Sequence, residues 1–295
     1  MNRVEPSICN SPRLWIPAVL LTALLTACSS SVSPTKKSAS PYQQAKDMFK
    51  QGNLDRTLSL TGPLARADTN DPDALDARVL RAVIYSGQIE AYKELVDTYR
   101  KGSQKARNPQ FIASFSRHRS DALQYGGDAA LSLGEIVMEF TSTPIFPKEL
   151  TLDAPWPSVE GPEDVPALTR VSQGGWVSED DQANAALDAQ RKGIDDALAE
   201  LVGGDRAKAR TEMTAGPVKI SGLDFALFLE KEVVDGIAFF GPQYIGNPDQ
   251  VKTLCGVADR LVPPIETMLK ESPNKAKEAE FKKLQKQIKD AEKYT

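Results

Sequence analysis

Apolar positions recur every three to four residues over long stretches of the chain. Leu75, Val79 and Val83 share one helical face, and Ile89, Tyr92, Val96 and Tyr99 share the next. Leu187, Ile194, Leu198 and Leu201 keep the same spacing further on. Between Leu223 and Phe240 the polar side of the pattern all but disappears. Phe225, Leu227, Phe228, Leu229, Val233, Val234, Ile237 and Phe239 cover most of the helix surface, which predicts a helix at the centre of the core.

Helix starts are marked by five pairs of a capping side chain and a proline: Ser40-Pro41, Asp71-Pro72, Asn108-Pro109, Asn247-Pro248 and Ser272-Pro273. A Ser, Asp or Asn oxygen accepts an orphan backbone N–H, and proline lacks the N–H that would stay unpaired there anyway. Gln43 and Gln250 stand three residues after their caps, and Ser178 with Asp181 makes a sixth start. Gly126-Gly127-Asp128 and Gly203-Gly204-Asp205 read as helix stops followed by caps, since neither has the spacing of a phosphate loop.

Residues 141–177 interrupt the pattern. Prolines at 144, 147, 155, 157, 162 and 166 accompany Trp156 and Trp176, predicting a long irregular connection, with room for a short strand, that packs onto the body. The last segment, Lys275 to Lys293, sets Phe281, Leu284, Ile288 and Ala291 at seam spacing among seven lysines. It predicts a solvated helix resting one narrow stripe on the rest.

The pattern at the start of the chain is different in kind. Arg3 and Arg13 flank a short apolar run from Leu14 to Ala27, too short for the roughly 20 helical residues that span a bilayer. It is read as an export signal over residues 1–27. Its end, Leu25-Thr26-Ala27-Cys28, resembles the lipobox of bacterial lipoproteins. The resemblance implies cleavage before Cys28, three acyl chains on that cysteine, and an outer-membrane destination because Ser29 follows it. Several acyl chains anchor durably where one holds only marginally. Residues 28–40 are polar and Ser-rich, predicting a flexible tether with a reach of roughly 20 Å.

The leader takes two arginines and one glutamate with it, so 34 basic and 39 acidic side chains remain, a formal charge of −5. That balance gives no footprint for nucleic acid. Cys9 leaves with the leader and Cys28 is acylated, so Cys255 remains as one thiol with no partner for a disulfide or a cysteine metal cage. Its neighbours Leu254 and Val257 predict burial. With 41% apolar residues, the 268 that follow the leader can form a proper core.

A period of 35 aligns Ala45…Gly52-Asn53-Leu54 with Leu80…Gly87-Gln88-Ile89. Over about Pro41 to Tyr99 this resembles the tetratricopeptide repeat, whose helix-turn-helix units stack because none buries its apolar face alone. It departs from that family at Thr57 and Tyr92, where a small residue is usual, and Pro63 threatens the second helix. The resemblance implies a concave face at Tyr42, Lys46, Phe49, Lys50, Arg81, Ile84 and Tyr85. That face is aromatic and basic, a seat for an extended peptide or an anionic group.

Candidate chemistry is thin. His118 is the only histidine, without the strained turn that presents a nucleophile, and no His or Cys spacing suits zinc. Glu179-Asp180-Asp181 read as first-turn acids that the helix dipole favours. Glu230, Glu232 and Asp235 lie on the most apolar helix, where a carboxyl can be buried with a raised pKa. Lys231 and Asp235, four apart, predict a surface ion pair.

The expectation is therefore a mainly α fold of stacked helical hairpins, with regions at 41–140 and 178–295 joined by the Pro/Trp-rich connection. The expected role is a non-enzymatic envelope lipoprotein, without metal or cofactor, that binds another protein or peptide as an adaptor or assembly factor. Two alternatives stay open. A small-molecule-binding protein working with a transporter would need a cavity under Trp156 or Trp176. A carboxylate hydrolase would need two acids about 5–9.5 Å apart.

Overall fold

Helix starts follow the capping side chains. Ser40 Oγ accepts the Gln43 N–H at 3.1 Å to open α1 (Pro41–Lys50), and Asn53 Oδ1 accepts the Arg56 N–H at 3.1 Å to open α2 (Leu54–Ala65). The computed structural model describes residues 40–66, 72–143 and 145–295. Cys28, the leader, the tether up to residue 39 and the Asp71 cap lie outside them. Between α1 and α2 the chain turns at Gly52, whose φ of 74° suits a residue without Cβ.

Two long antiparallel helices follow, α3 (Pro72–Lys105) and α4 (Pro109–Thr141), the second capped by Asn108. Strand β1 (Glu149–Leu152) and the short α5 (Pro166–Ser172) lie within the connection. Then come α6 (Glu179–Leu201), α7 (Arg206–Ala215), β2 (Val218–Ser221) and α8 (Gly222–Phe240). The chain closes with α9 (Pro248–Asp259), α10 (Val262–Glu271) and α11 (Lys275–Glu292). The described fold is mainly α. Its small sheet pairs β1 and β2 antiparallel, from Glu149 opposite Ser221 to Leu152 opposite Val218.

One hydrophobic core runs through the described residues from α1 to α11. Helix α3 packs on α2, α4 and α6, while α8 packs on α4 and carries α9, α10 and α11. The greasy α8 is central, as its composition requires: Phe225, Ala226, Leu229 and Val233 are fully buried. Helix α11 lays Phe281, Leu284 and Ile288 inward and leaves its lysines wet. Among the described residues no helix is long and apolar enough to cross a membrane.

Four local expectations are corrected. The second turn expected at Gly87-Gln88-Ile89 is absent, because α3 runs unbroken through it. Gly87 is there for a crossing: a Cβ on it would come within 2.6 Å of the Ile194 backbone nitrogen in α6. Gly126 and Gly127 do not stop a helix either; they lie inside α4, where Phe239 and Phe240 fill the space a side chain would take. Ser272 does not cap α11. It ends α10, and Asn274 Oδ1 accepts the Ala276 and Lys277 N–H groups instead. Lys231 and Asp235 do not pair: Asp235 meets Lys93 at 2.6 Å.

The connection is irregular only in part and is pinned closely. The buried Asp195 carboxylate accepts the Gly161 N–H at 2.7 Å, and Arg206 donates to the Gly161 carbonyl at 3.1 Å. Tyr42 donates its hydroxyl to the Asp153 carbonyl at 2.9 Å, and Ser158 N–H reaches the Lys50 carbonyl at 2.8 Å. Trp156 is buried among these contacts, whereas Trp176 stacks on Phe111 with ring centres 4.8 Å apart and stays 42% exposed.

Candidate functional site

Four elements leave an open groove of about 700 Å³ between them. The α1–α2 turn forms one wall with Gln51, Gly52 and Asn53. Helix α3 contributes Tyr85, Gln88 and Tyr92, spaced so that all three point from one face. Tyr125, Asp128, Ala129 and Ser132 of α4 do the same one helix further on, and α6 closes the groove with Leu187, Gln190 and Arg191. Ile84 and Ile89, which flank that face of α3, and Val79 and Val83 on the side away from it are committed to the core. The close approach of Gly87 and Gly193 draws α3 against α6 and so sets this wall.

Its aromatic rings are held at different depths. Arg81 lies 5.3 Å from the Tyr85 ring centre and donates to the Tyr85 hydroxyl at 3.0 Å and the Leu58 carbonyl at 2.9 Å. Tyr92 and Tyr125 stand 5.7 Å apart and tilted by 31°. Burial raises the Tyr92 hydroxyl to about 12, helped by Tyr125 and Asp55, so it stays a neutral donor. Tyr125 is 56% exposed and Leu187 48%, leaving apolar surface at the mouth.

The polar lining is amide-rich and acidic. The side chains of Gln51, Gln88 and Gln190 have no intramolecular hydrogen bond among the described residues. Arg191 is matched by Asp188 at 3.0 Å. Asp55 and Asp128 make no ion pair among the described residues. Asp55 stands in the first turn of α2, where the helix dipole favours an acid, but Asp128 lies in the interior of α4 with no such reason. Ring faces and free amides can grip an extended polymer without any bond being made or broken.

The face implied by the repeat resemblance does not stay together. Tyr42, Phe49 and Ile84 are buried in the core. Lys46 pairs with Asp153 at 2.9 Å, and Arg81 spends its donors inside the protein. Lys50 is exposed, and only Tyr85 of the seven lines the groove. Tyr92 and Leu187 have the spacing of core residues, and Tyr125 carries no local signal. Only the tertiary crossing of α3, α4 and α6 brings them together.

Other clusters do different work. His118 stacks on Tyr99 at 5.3 Å with Nε2 3.1 Å from the Glu179 carboxylate. Ser114 donates to that same carboxylate at 3.4 Å and not to the imidazole, so His118 does not activate it. Between α3, α6 and α8, Glu90, Glu200 and Glu232 bring carboxylate oxygens within 4.8 Å of one another. The Lys231 ammonium stands among them, 2.7 Å from Glu200 and 2.9 Å from Glu232, as their counter-ion. Cys255 is buried, and burial pushes its thiol up to about 11. Neither Trp156 nor Trp176 lines the groove. Compared with protein-family models, curated proteins and solved structures, the chain matches none of them.

Proposed function

We propose that this chain is a bacterial envelope lipoprotein, anchored through acyl chains on Cys28 at the periplasmic face of the outer membrane, that binds a segment of another protein. It acts as a non-enzymatic adaptor or assembly factor. The anchor rests on the lipobox resemblance of Leu25-Thr26-Ala27-Cys28. The binding role rests on one observation: an open groove lined by Tyr85, Tyr92, Tyr125 and three unpaired glutamine side chains, with no nucleophile and base joined within it. Aromatic rings at a wet surface supply contact area at low entropic cost, and amides satisfy a peptide backbone.

Two measurements test it together. Labelled palmitate is incorporated into the chain and lost in Cys28→Ala, which stays in the soluble fraction. Crosslinked affinity purification from the envelope yields a protein partner that is weakened by Tyr125→Ala, a change at an exposed site that leaves the fold intact. A chain that takes no label overturns the anchor, and a partner indifferent to Tyr125→Ala overturns the groove as its seat.

A further inference from the structure

The groove has the opposite charge to the face that the sequence implied. We infer that the segment it takes carries a lysine or arginine side chain, held against the rings of Tyr92 and Tyr125 with Asp55 and Asp128 as counter-charges. This rests on the groove being the partner site and names what the partner must present there.

Charge and ring geometry agree. A tyrosine face attracts a cation, and the tilted Tyr92–Tyr125 pair presents two rings 5.7 Å apart. Asp128 follows Tyr125 by three residues, on the same face of α4. Asp55 is near enough to Tyr92 to disfavour its phenolate. The lining cation Arg191 is already engaged by Asp188, so it does not cancel these two acids. Both acids are exposed, so a cation reaches them without breaking an existing ion pair. Beside them Gln51, Gln88 and Gln190 offer both donors and acceptors to a backbone, and Leu187 offers an apolar contact. A neutral glycan would use the rings and amides but would not need two carboxylates of one sign.

The test uses the full chain in detergent and three fluorescein-labelled dodecapeptides on one alanine-leucine-glycine framework, with two central lysines, glutamines or glutamates. Fluorescence polarisation should rank lysine over glutamine by roughly tenfold, and glutamate weakest. Added salt should narrow the gap, because exposed charges are screened. The double variant Asp55→Asn/Asp128→Asn should bring the lysine peptide to the level of the glutamine peptide, and Tyr125→Ala should weaken all three. Circular dichroism confirms that the variants stay folded. Equal affinities for the three peptides overturn this inference while leaving a peptide-binding groove. Saturation by an N-acetylglucosamine oligomer with no peptide bound makes the occupant a glycan and overturns both. So does the absence of saturable binding by any probe.

Discussion

At the scale of single residues, Glu230 is an uncomfortable group in the core. It is fully buried on α8; Gln285 donates to one carboxylate oxygen at 2.5 Å and the other has no partner. Burial is the main force raising its pKa from 4.5 to about 7, with Asp259 and Glu280 adding to it and the Gln285 hydrogen bond opposing it. The folded chain therefore keeps a proton that the unfolded chain releases near pH 4.5. The contribution of this group to stability is fully present below that value, falls as pH rises to about 7 and is level above, a loss of at most ~3 kcal/mol. Glu230→Gln should flatten this dependence, so its melting temperature gains on the wild type between pH 5 and pH 8. An unchanged pH profile would show that Glu230 ionises normally.

Two glycines make a second residue-scale prediction with opposite signs. Gly193 faces the Gly87 backbone across the α3–α6 crossing, with no space for a Cβ, so Gly193→Ala should destabilise by roughly 1–3 kcal/mol despite its better helix propensity. Gly256 on α9 has open space around it, so Gly256→Ala should stabilise by roughly 1 kcal/mol. Chemical denaturation of both variants decides. The sequence shows these glycines but not their roles. Gly87 looked like a turn and Gly126-Gly127 like a stop, because a glycine that admits another helix and one that ends its own carry the same letter.

At the scale of elements, most of the secondary structure was legible. The caps Ser40, Asn108, Ser178 and Asn247 each accept the N–H expected of them. Those signals are local, and local chemistry decides them. Packing is not local. Helix α3 is one element of 34 residues where the apolar spacing suggested two, because the polar step at Gly87-Gln88 falls at a crossing with α6 and at the groove wall. The connection through residues 141–177 looks irregular in sequence because its order comes from distant partners, chiefly Asp195 and Arg206 on Gly161. Arg206→Ala removes the donation to the Gly161 carbonyl at 3.1 Å, that to the Lys192 carbonyl at 3.3 Å and the Asp196 pairing at 2.7 Å. Hydrogen exchange around residues 153–165 should then quicken while that of α8 holds. Equal quickening throughout would make Arg206 a global rather than a local clamp.

At the scale of the whole molecule, one apolar core holds a groove whose walls come from four elements far apart in sequence. That separation is why the candidate site was not legible. The implied face gathered residues close in sequence, and the fold sent Tyr42, Phe49 and Ile84 inward while turning Tyr92 and Tyr125 toward solvent as a pair. Under the proposed function, an anchor on Cys28 would keep the body close to the membrane, and the groove would take a segment of another envelope protein.

The most direct test places a photo-crosslinking amino acid at position 125, and separately at the exposed Val159 outside the groove, in cells that lipidate the protein. The account predicts a discrete protein adduct from position 125, lost with Asp55→Asn/Asp128→Asn, and no such adduct from position 159. The same adduct from both positions, or one from position 159 alone, would contradict it.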